Sequence, residues 1–215
     1  MLITRNQALF ALTLTLFAAL AFMALRSGAR IFETGPELVI YSNGGPVVFV
    51  WHEAVEAPMA HRFHEAFEAW KDKTDHFIID LDSPGGALIE GRGVIDEIER
   101  MKATHRIDTR VGPGATCASM CVPIFIRGLE RVAAADARFM FHEPTSVDFI
   151  TEERVNKPAF EHRRDAKRFF DRYFVQSEMD PAWLEKLREA SKGRDVWKTS
   201  EELVAEGSNV VTKLE

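Results

Sequence analysis

Three separated stretches of this chain carry the residue types that perform acyl transfer. Ser119 is a lone hydroxyl between Cys117 and Cys121 in the apolar run GATCASMCVPIF. His142 follows the strand-like run ARFMF, and Gly85 lies in the turn SPGG. A serine, a histidine and a glycine turn can supply a nucleophile, a general base and a backbone N–H for an oxyanion. The combination predicts attack of a serine on a carbonyl carbon.

Each of these features alone also has a structural explanation. A serine in an apolar helix can bond a backbone carbonyl four residues back. A glycine turn before a helix is often only a turn, and a histidine at a strand end more often packs than reacts. The prediction of a hydrolase therefore rests on the three features occurring together, with the serine at the start of a short helix.

The elements that must position these residues alternate between strand and helix. Such alternation predicts an α/β fold with a mostly parallel sheet and helices packed on its faces. In such folds ligands bind where the carboxyl ends of strands meet loops and helix N-termini, and the three features all fall at such ends. The predicted elements are two strand-like runs around residues 43–45, helices at 58–70 and 87–101, strands at 76–82, 106–112 and 137–144, and a short helix around Ser119.

The first thirty residues differ sharply from the rest of the chain. Residues 7–25 contain no charge, and their length suits a helix that crosses a bilayer. We predict one N-terminal apolar helix (residues 1–30) followed by a catalytic domain (residues 31–215). The helix is an uncleaved membrane anchor or a cleaved signal, for which residues 27–29 could form the cleavage site. The very short leader resembles an export signal, which favours a periplasmic or extracytoplasmic catalytic domain.

Composition excludes several other classes of protein. A net charge of −6 and a pI near 5.7 argue against nucleic acid as a partner. The most basic stretch, residues 161–172, also contains aspartates and is interpreted as a solvated helix face. His61, His64 and Glu65 lack a third ligand nearby and are likewise assigned to a solvated face. No metal and no cofactor are predicted.

Several segments resemble the proteolytic subunit of Clp protease, in the Clp/crotonase superfamily. The similar segments are LDSPGGALIEG, CASM and GLERVAAADARFMFHEP, which occur in the family's order with similar gaps. The resemblance extends over residues 47–211 and leaves out the apolar N-terminus. It implies a Clp/crotonase-like fold built from repeated strand–helix units, and a serine peptidase that acts on peptides or unfolded proteins.

The resemblance also implies a role for each site residue. Ser119 would be the nucleophile and His142 the general base. Asp195, in the segment SKGRDVWKTSEELVAEG, would take the acidic position of the triad. Gly86 and Met120 would donate the backbone N–H groups of the oxyanion hole.

The chain departs from the family at three places. Pro123 lies in the helix that should follow the serine, where only the first turn tolerates proline. Residues 145–160 lack the glycine-rich stretch of the family's handle, which builds the stacked double ring of fourteen subunits. The resemblance therefore implies a homo-oligomer without implying that barrel. The apolar N-terminus is closer to membrane-bound Clp-class proteases, which use a serine–lysine pair, although His142 and Asp195 favour the histidine version.

Two alternative functions remain beside the peptidase. A crotonase-type acyl-CoA enzyme would share the fold and its oxyanion N–H groups but would not need the triad. A membrane-tethered interaction module would keep the fold with an inactive site. The chain has no phosphate-binding loop of the Walker type, so ATP-driven unfolding of a substrate would require a partner.

The two cysteines also leave two alternatives. On one helix, residues 117 and 121 share a face, and Ser119 points away from them. The cysteines could be buried thiols, or a disulfide if Cys117 preceded the first helical turn and the domain were exported. In either case we expect the pair to support the serine's helix and to take no part in catalysis.

Overall fold

The computed structural model describes residues 38–42, 44–144, 158–175 and 177–215. Its strands and helices alternate over most of this length, as predicted. The strands are β1 (Val39–Ser42), β2 (Val47–Trp51), β3 (His76–Leu81), β4 (Arg106–Val111), β5 (Thr116–Ala118), β6 (Arg131–Ala133), β7 (Arg138–Phe141), β8 (Val196–Thr199) and β9 (Lys213–Leu214). The helices are α1 (Met59–Trp70), α2 (Leu88–Lys102), α3 (Cys121–Phe125), α4 (Ala159–Tyr173), α5 (Pro181–Ala190) and α6 (Ser200–Ala205).

The strands form two sheets of mixed direction, where the sequence predicted a mostly parallel sheet. The larger sheet has the order β1-β2-β3-β4-β6-β9, and the smaller one has the order β5-β7-β8. β1 is antiparallel to β2 because the short segment between them is too brief for a crossover. β8 is antiparallel to β7, and the other neighbouring strands are parallel.

One continuous core includes residues of both sheets, and helices α1 and α2 contribute a large part of it. Both helices are amphipathic, and their apolar positions recur at helical spacing, which places one side of each helix on the sheet. Aromatic rings meet across this layer: the Phe49 and Phe63 ring centroids are 5.9 Å apart in an edge-to-face arrangement. Leu88 is apolar and begins α2, but its side chain is exposed. The buried helix residues are Met59, Phe63, Ala66 and Phe67 in α1, and Val94, Ile95, Ile98 and Met101 in α2.

The predicted helix around Ser119 is a strand followed by a helix. Thr116, Cys117 and Ala118 form β5, which pairs in parallel with β7, and the helix α3 begins only at Cys121. Hydrogen bonding to the neighbouring strand decides this, since a run of small and apolar residues suits either structure. Pro123 falls in the first turn of α3, where the missing N–H leaves no helical hydrogen bond unmade.

The remaining helices and the N-terminus add two observations. The basic stretch 161–172 lies in α4, which buries Ala166, Phe169 and Phe170 and exposes most of its charged side chains. Within the described residues, no helix is long and apolar enough to cross a membrane. The predicted N-terminal apolar helix (residues 1–30) lies outside the described residues.

Candidate active site

The smaller sheet brings the three predicted triad residues to one of its ends. β5 and β7 are parallel, so Ser119 and His142 follow the carboxyl ends of adjacent strands. β8 is antiparallel to β7, so Asp195, which precedes β8, starts at the same end. The pairing of Phe141 with Val196 makes His142 and Asp195 the next opposed positions of the ladder. Opposed positions of an antiparallel pair direct their side chains to the same face of the sheet.

The side chains follow from this backbone arrangement. His142 Nε2 lies 2.6 Å from Ser119 Oγ, a hydrogen-bonding distance. His142 Nδ1 lies 3.9 Å from Asp195 Oδ1, which is an ion-pair distance but longer than a hydrogen bond. The histidine side chain is 22% exposed and the aspartate side chain 58% exposed. The serine–histidine contact is therefore tight, while the carboxylate is looser and faces solvent.

Ser119 lies in a sharp turn between the strand and the helix. Its φ is +51°, in the left-handed region that side chains other than glycine rarely adopt. The turn is held on the strand side, because the Ser119 N–H donates to Met140 O at 2.9 Å. This conformation projects the hydroxyl from the end of the sheet toward His142.

The glycine turn after β3 packs directly against Ser119. The Ser83 N–H donates to Thr116 O at 2.7 Å, and the Ala118 N–H donates back to Ser83 O at 2.9 Å. A Cβ on Gly85 would lie 2.6 Å from Ser119 Cβ and 2.6 Å from Ala118 O. Since such distances are well inside van der Waals contact, only glycine allows this approach.

Two backbone N–H groups near Ser119 are candidate donors for an oxyanion. In the described part of the chain, neither the Gly86 N–H nor the Met120 N–H donates a hydrogen bond, although Met120 is fully buried. Buried N–H groups are nearly always paired, so the one at Met120 indicates strain or a ligand site, whereas Gly86 is exposed to solvent. Gly86 belongs to the turn that packs on Ser119, and Met120 directly follows the serine. The two donors can thus serve an oxyanion that forms beside the serine hydroxyl.

Comparison with known proteins assigns the chain to a family. The family model for Clp protease matches residues 38–211. The chain belongs to the Clp protease family. A solved structure of a ClpP1 mutant from Listeria monocytogenes matches with a TM-score of 0.58 and 17% sequence identity, over 78% of this chain and 90% of that chain. A search of curated proteins finds no match.

Membership of the Clp protease family supports a peptidase. The likeness to the Listeria monocytogenes structure confirms the α/β fold of that family, and at this identity it shows the fold alone. The segments that resembled the family in sequence are those that surround the site: the glycine turn, the turn at Ser119 and the strand that ends before His142.

The candidate site also depends on residues that the sequence did not single out. Asp82 Oδ1 accepts a hydrogen bond from the Thr116 N–H at 2.9 Å, which ties the glycine turn to β5. Val55 accepts from the Ala87 N–H, and its own N–H donates to Gly85 O, each at 2.8 Å. The aspartate directly before SPGG could have indicated such a hydrogen bond from the sequence. Val55 carries no signal, because it acts through its backbone.

The strand β8, which Asp195 precedes, is held by side-chain contacts outside the candidate site. Lys198 of β8 forms an ion pair with Glu206, which also accepts from Trp183 Nε1 at 2.8 Å. The hydrogen bond from Lys198, together with that from Trp183, holds the pKa of Glu206 below its usual value. These contacts fix β8 against α5, so the start of β8 is supported although Asp195 itself is exposed.

Cys117 and Cys121 form a disulfide, with their Cα atoms 5.2 Å apart. Of the two alternatives, the structure therefore contains the disulfide and no free cysteine among the described residues. The geometry differs from a single helix, because Cys117 is on β5 and Cys121 begins α3. A strand-to-helix change between the two residues gives the side chains a relative orientation that consecutive helical turns do not.

Replacement of Gly85 by alanine should disrupt the site more than a matched glycine substitution. Gly85→Ala combines a φ of +89° with the close contacts to Ser119 and Ala118, and we expect a loss of about 2–5 kcal/mol in the free energy of unfolding. Gly114→Ala has a similar φ of +69° but no atom within 4 Å of the new Cβ. This control should lose only about 1–2 kcal/mol. Urea unfolding of the full chain measures both, and equal losses would contradict the close packing.

Proposed function

We propose that this chain is a serine peptidase that hydrolyses peptide bonds through a Ser119–His142–Asp195 triad. The observation that carries the proposal is the 2.6 Å contact between Ser119 Oγ and His142 Nε2, beside two backbone N–H groups that donate no hydrogen bond to another described residue. A nucleophile in contact with its base, next to oxyanion donors, is the arrangement that acyl transfer requires. Family membership supports the same class of reaction.

The mechanism follows from these positions. Ser119 Oγ attacks the carbonyl carbon of the peptide bond while His142 Nε2 takes the hydroxyl proton. The carbonyl oxygen becomes an oxyanion, which accepts hydrogen bonds from the Gly86 and Met120 N–H groups. His142 then gives its proton to the leaving amine, and an acyl-enzyme remains. Water, deprotonated by the same histidine, hydrolyses the acyl-enzyme and restores the serine.

Labelling with a fluorophosphonate probe tests the proposal directly. The oxygen of an activated serine attacks the phosphorus of the probe and forms a covalent bond to it. An inactive interaction module or a crotonase-type acyl-CoA enzyme has no activated serine and would not label. We expect the full chain to label at Ser119, with the modified residue located by mass spectrometry. A full chain that is folded and never labels would favour the interaction module.

Replacement of Asp195 should lower kcat less than replacement of Ser119 or His142. Its carboxylate is 58% exposed and 3.9 Å from His142 Nδ1, so water screens its interaction with the ring. The looser geometry favours an orienting role, and we expect Asp195→Asn to lower kcat by about 10²- to 10³-fold.

The neighbouring carboxylate gives the matched control for Asp195. Glu143 follows the histidine directly, and its carboxylate accepts a hydrogen bond from the Gly193 N–H at 3.3 Å. Glu143→Gln should change kcat by no more than about twofold. Peptide hydrolysis at saturating substrate measures both variants. If the Glu143 variant had the larger loss, that residue and not Asp195 would orient the ring.

We also propose that residues 1–30 hold the protein at a membrane, with residues 31–215 outside the cytoplasm. The uncharged stretch of residues 7–25 supports this proposal, and a disulfide beside the site fits an oxidising compartment. The substrates would then be short peptides or proteins already unfolded, since ATP is absent there. Assembly into a homo-oligomer is part of the same proposal.

Truncation tests the membrane proposal. A chain that begins near Phe32 should remain folded in the soluble fraction, whereas the full chain should require detergent. Ultracentrifugation of cell extracts and circular dichroism of the purified proteins measure this difference. Aggregation of the shortened chain, with a full chain soluble in the absence of detergent, would assign residues 1–30 to the core.

A further inference from the structure

The disulfide encloses the proposed nucleophile and one proposed oxyanion donor. Cys117 and Cys121 are separated by Ala118, Ser119 and Met120 only. The bond therefore closes a covalent ring that contains the serine and the Met120 N–H. It ties the last part of β5 to the first residue of α3, and both cysteines are fully buried.

The turn inside this ring needs external support. A left-handed conformation at Ser119 costs about 1–2 kcal/mol relative to an ordinary one, so the surroundings must impose it. The strand side of the turn is held by β7 and by the glycine turn. The helix side is weaker, because α3 has five residues and no side-chain cap at its start. So short a helix has little stability of its own.

We propose that the disulfide is a positioning element: it holds the Ser119 hydroxyl and the Met120 N–H at a fixed spacing, so that hydrolysis is fast only in the oxidised chain. This inference rests on the proposed function and adds a requirement to it, namely that the disulfide has formed. The sulfur atoms contact no reacting group in this mechanism. They act through the backbone, by fixing the helix side of the turn to the strand side.

The size of the effect follows from the sensitivity of catalysis to geometry. A misplacement of about 1 Å costs on the order of 10²-fold in rate. Without the disulfide, packing of the buried Ile124 and Phe125 still holds α3 near its place. We therefore expect kcat to fall about 10- to 100-fold in the folded chain, with KM changed by less than about twofold, because substrate binding uses other contacts.

The burial of Cys117 and Cys121 also determines at which stage the disulfide can form or be reduced. A dithiol reagent reduces the bond by attack of one thiolate on a disulfide sulfur and displacement by its second thiol, which leaves two cysteine thiols and a cyclic oxidised reagent. Since both cysteines are fully buried, this exchange requires local opening of the turn. The bond is thus formed during folding in an oxidising compartment and is afterwards protected.

Two double variants of the full chain test the proposal. Cys117→Ser/Cys121→Ser keeps the side-chain size, and Cys117→Ala/Cys121→Ala adds no buried hydroxyl. Val122→Ala is the matched control, because it removes buried volume from α3 but leaves the covalent tie. The measurements are kcat and KM for a peptide substrate, the rate of labelling by a fluorophosphonate, and the folded fraction by circular dichroism.

Reduction of the wild-type chain is an independent test. The chain is treated with a dithiol in mild urea and returned to buffer without oxidant, and the same constants are then measured.

The proposal expects a lower kcat and slower labelling in both double variants and in reduced wild type, with KM and the Val122→Ala kcat near the wild-type values. Reoxidation should restore the wild-type rate. An unchanged kcat in a folded double variant would overturn it, and unfolding of both variants would assign the bond to stability alone. A wild-type chain that neither labels nor hydrolyses would refute the proposed function itself. Equal labelling of the wild-type chain and the variants would refute only the role of the disulfide.

Discussion

Ser119→Ala is expected to hydrolyse peptides more slowly than the wild-type chain by a factor on the order of 10⁴ to 10⁶. The substitution removes only the Oγ that lies 2.6 Å from His142 Nε2, so no covalent intermediate can form. Binding of substrate uses other groups, and KM should stay within about threefold. Steady-state hydrolysis of a fluorogenic peptide measures both constants, and the variant should not label with a fluorophosphonate.

A second serine provides the control for this substitution. Ser177, between α4 and α5, donates a hydrogen bond from Oγ to Phe174 O and lies outside the candidate site. Ser177→Ala removes the same atom type and should keep the wild-type kcat. Equal turnover of Ser119→Ala and wild type would refute the proposed nucleophile.

His142→Gln should lower kcat by about as much, on the order of 10⁴-fold or more, because nucleophile and base act as a unit. Glutamine fills a similar volume and can hydrogen-bond Ser119 but cannot take its proton. Steady-state hydrolysis of a peptide substrate measures kcat, and the variant should label with a fluorophosphonate much more slowly than the wild-type chain.

Another histidine serves as the comparison. His64 on α1 is half exposed and contacts Glu97 and Arg100. His64→Gln should keep the wild-type rate. A His142→Gln rate equal to that of the wild-type chain would mean that a different group is the base.

Much of the site's surroundings could be predicted from the sequence, because local patterns determine them. Alternating apolar runs predict β3 and the following helix α2, and their bounds agree with the structure to within one residue. Pro84, Gly85 and Gly86 predict the turn between them, since glycine is the residue that tolerates such backbone angles. The apolar run before His142 predicts β7 in the same way.

The region around Ser119 could not be predicted from local pattern. Small apolar residues on both sides of the serine fit a helix or a strand, and helical spacing placed both cysteines on one helix. Pairing with β7 makes the first half a strand, and the turn that follows is left-handed at the serine. Once Cys117 leaves the helix, the two sulfur atoms can meet. Long-range pairing therefore decided the disulfide, which spacing alone had left open.

The sequence by itself determined which residue types are present for the chemistry and which short elements carry them. Only the tertiary structure decided that they meet. His142 and Asp195 are 53 positions apart in the chain, yet the antiparallel register of β7 and β8 makes them opposed neighbours. Gly85 reaches Ser119 only because the segment after β3 leaves the larger sheet and bonds to β5. Such contacts depend on strand order and register, which hydrogen bonds between distant segments set and which local propensity does not encode.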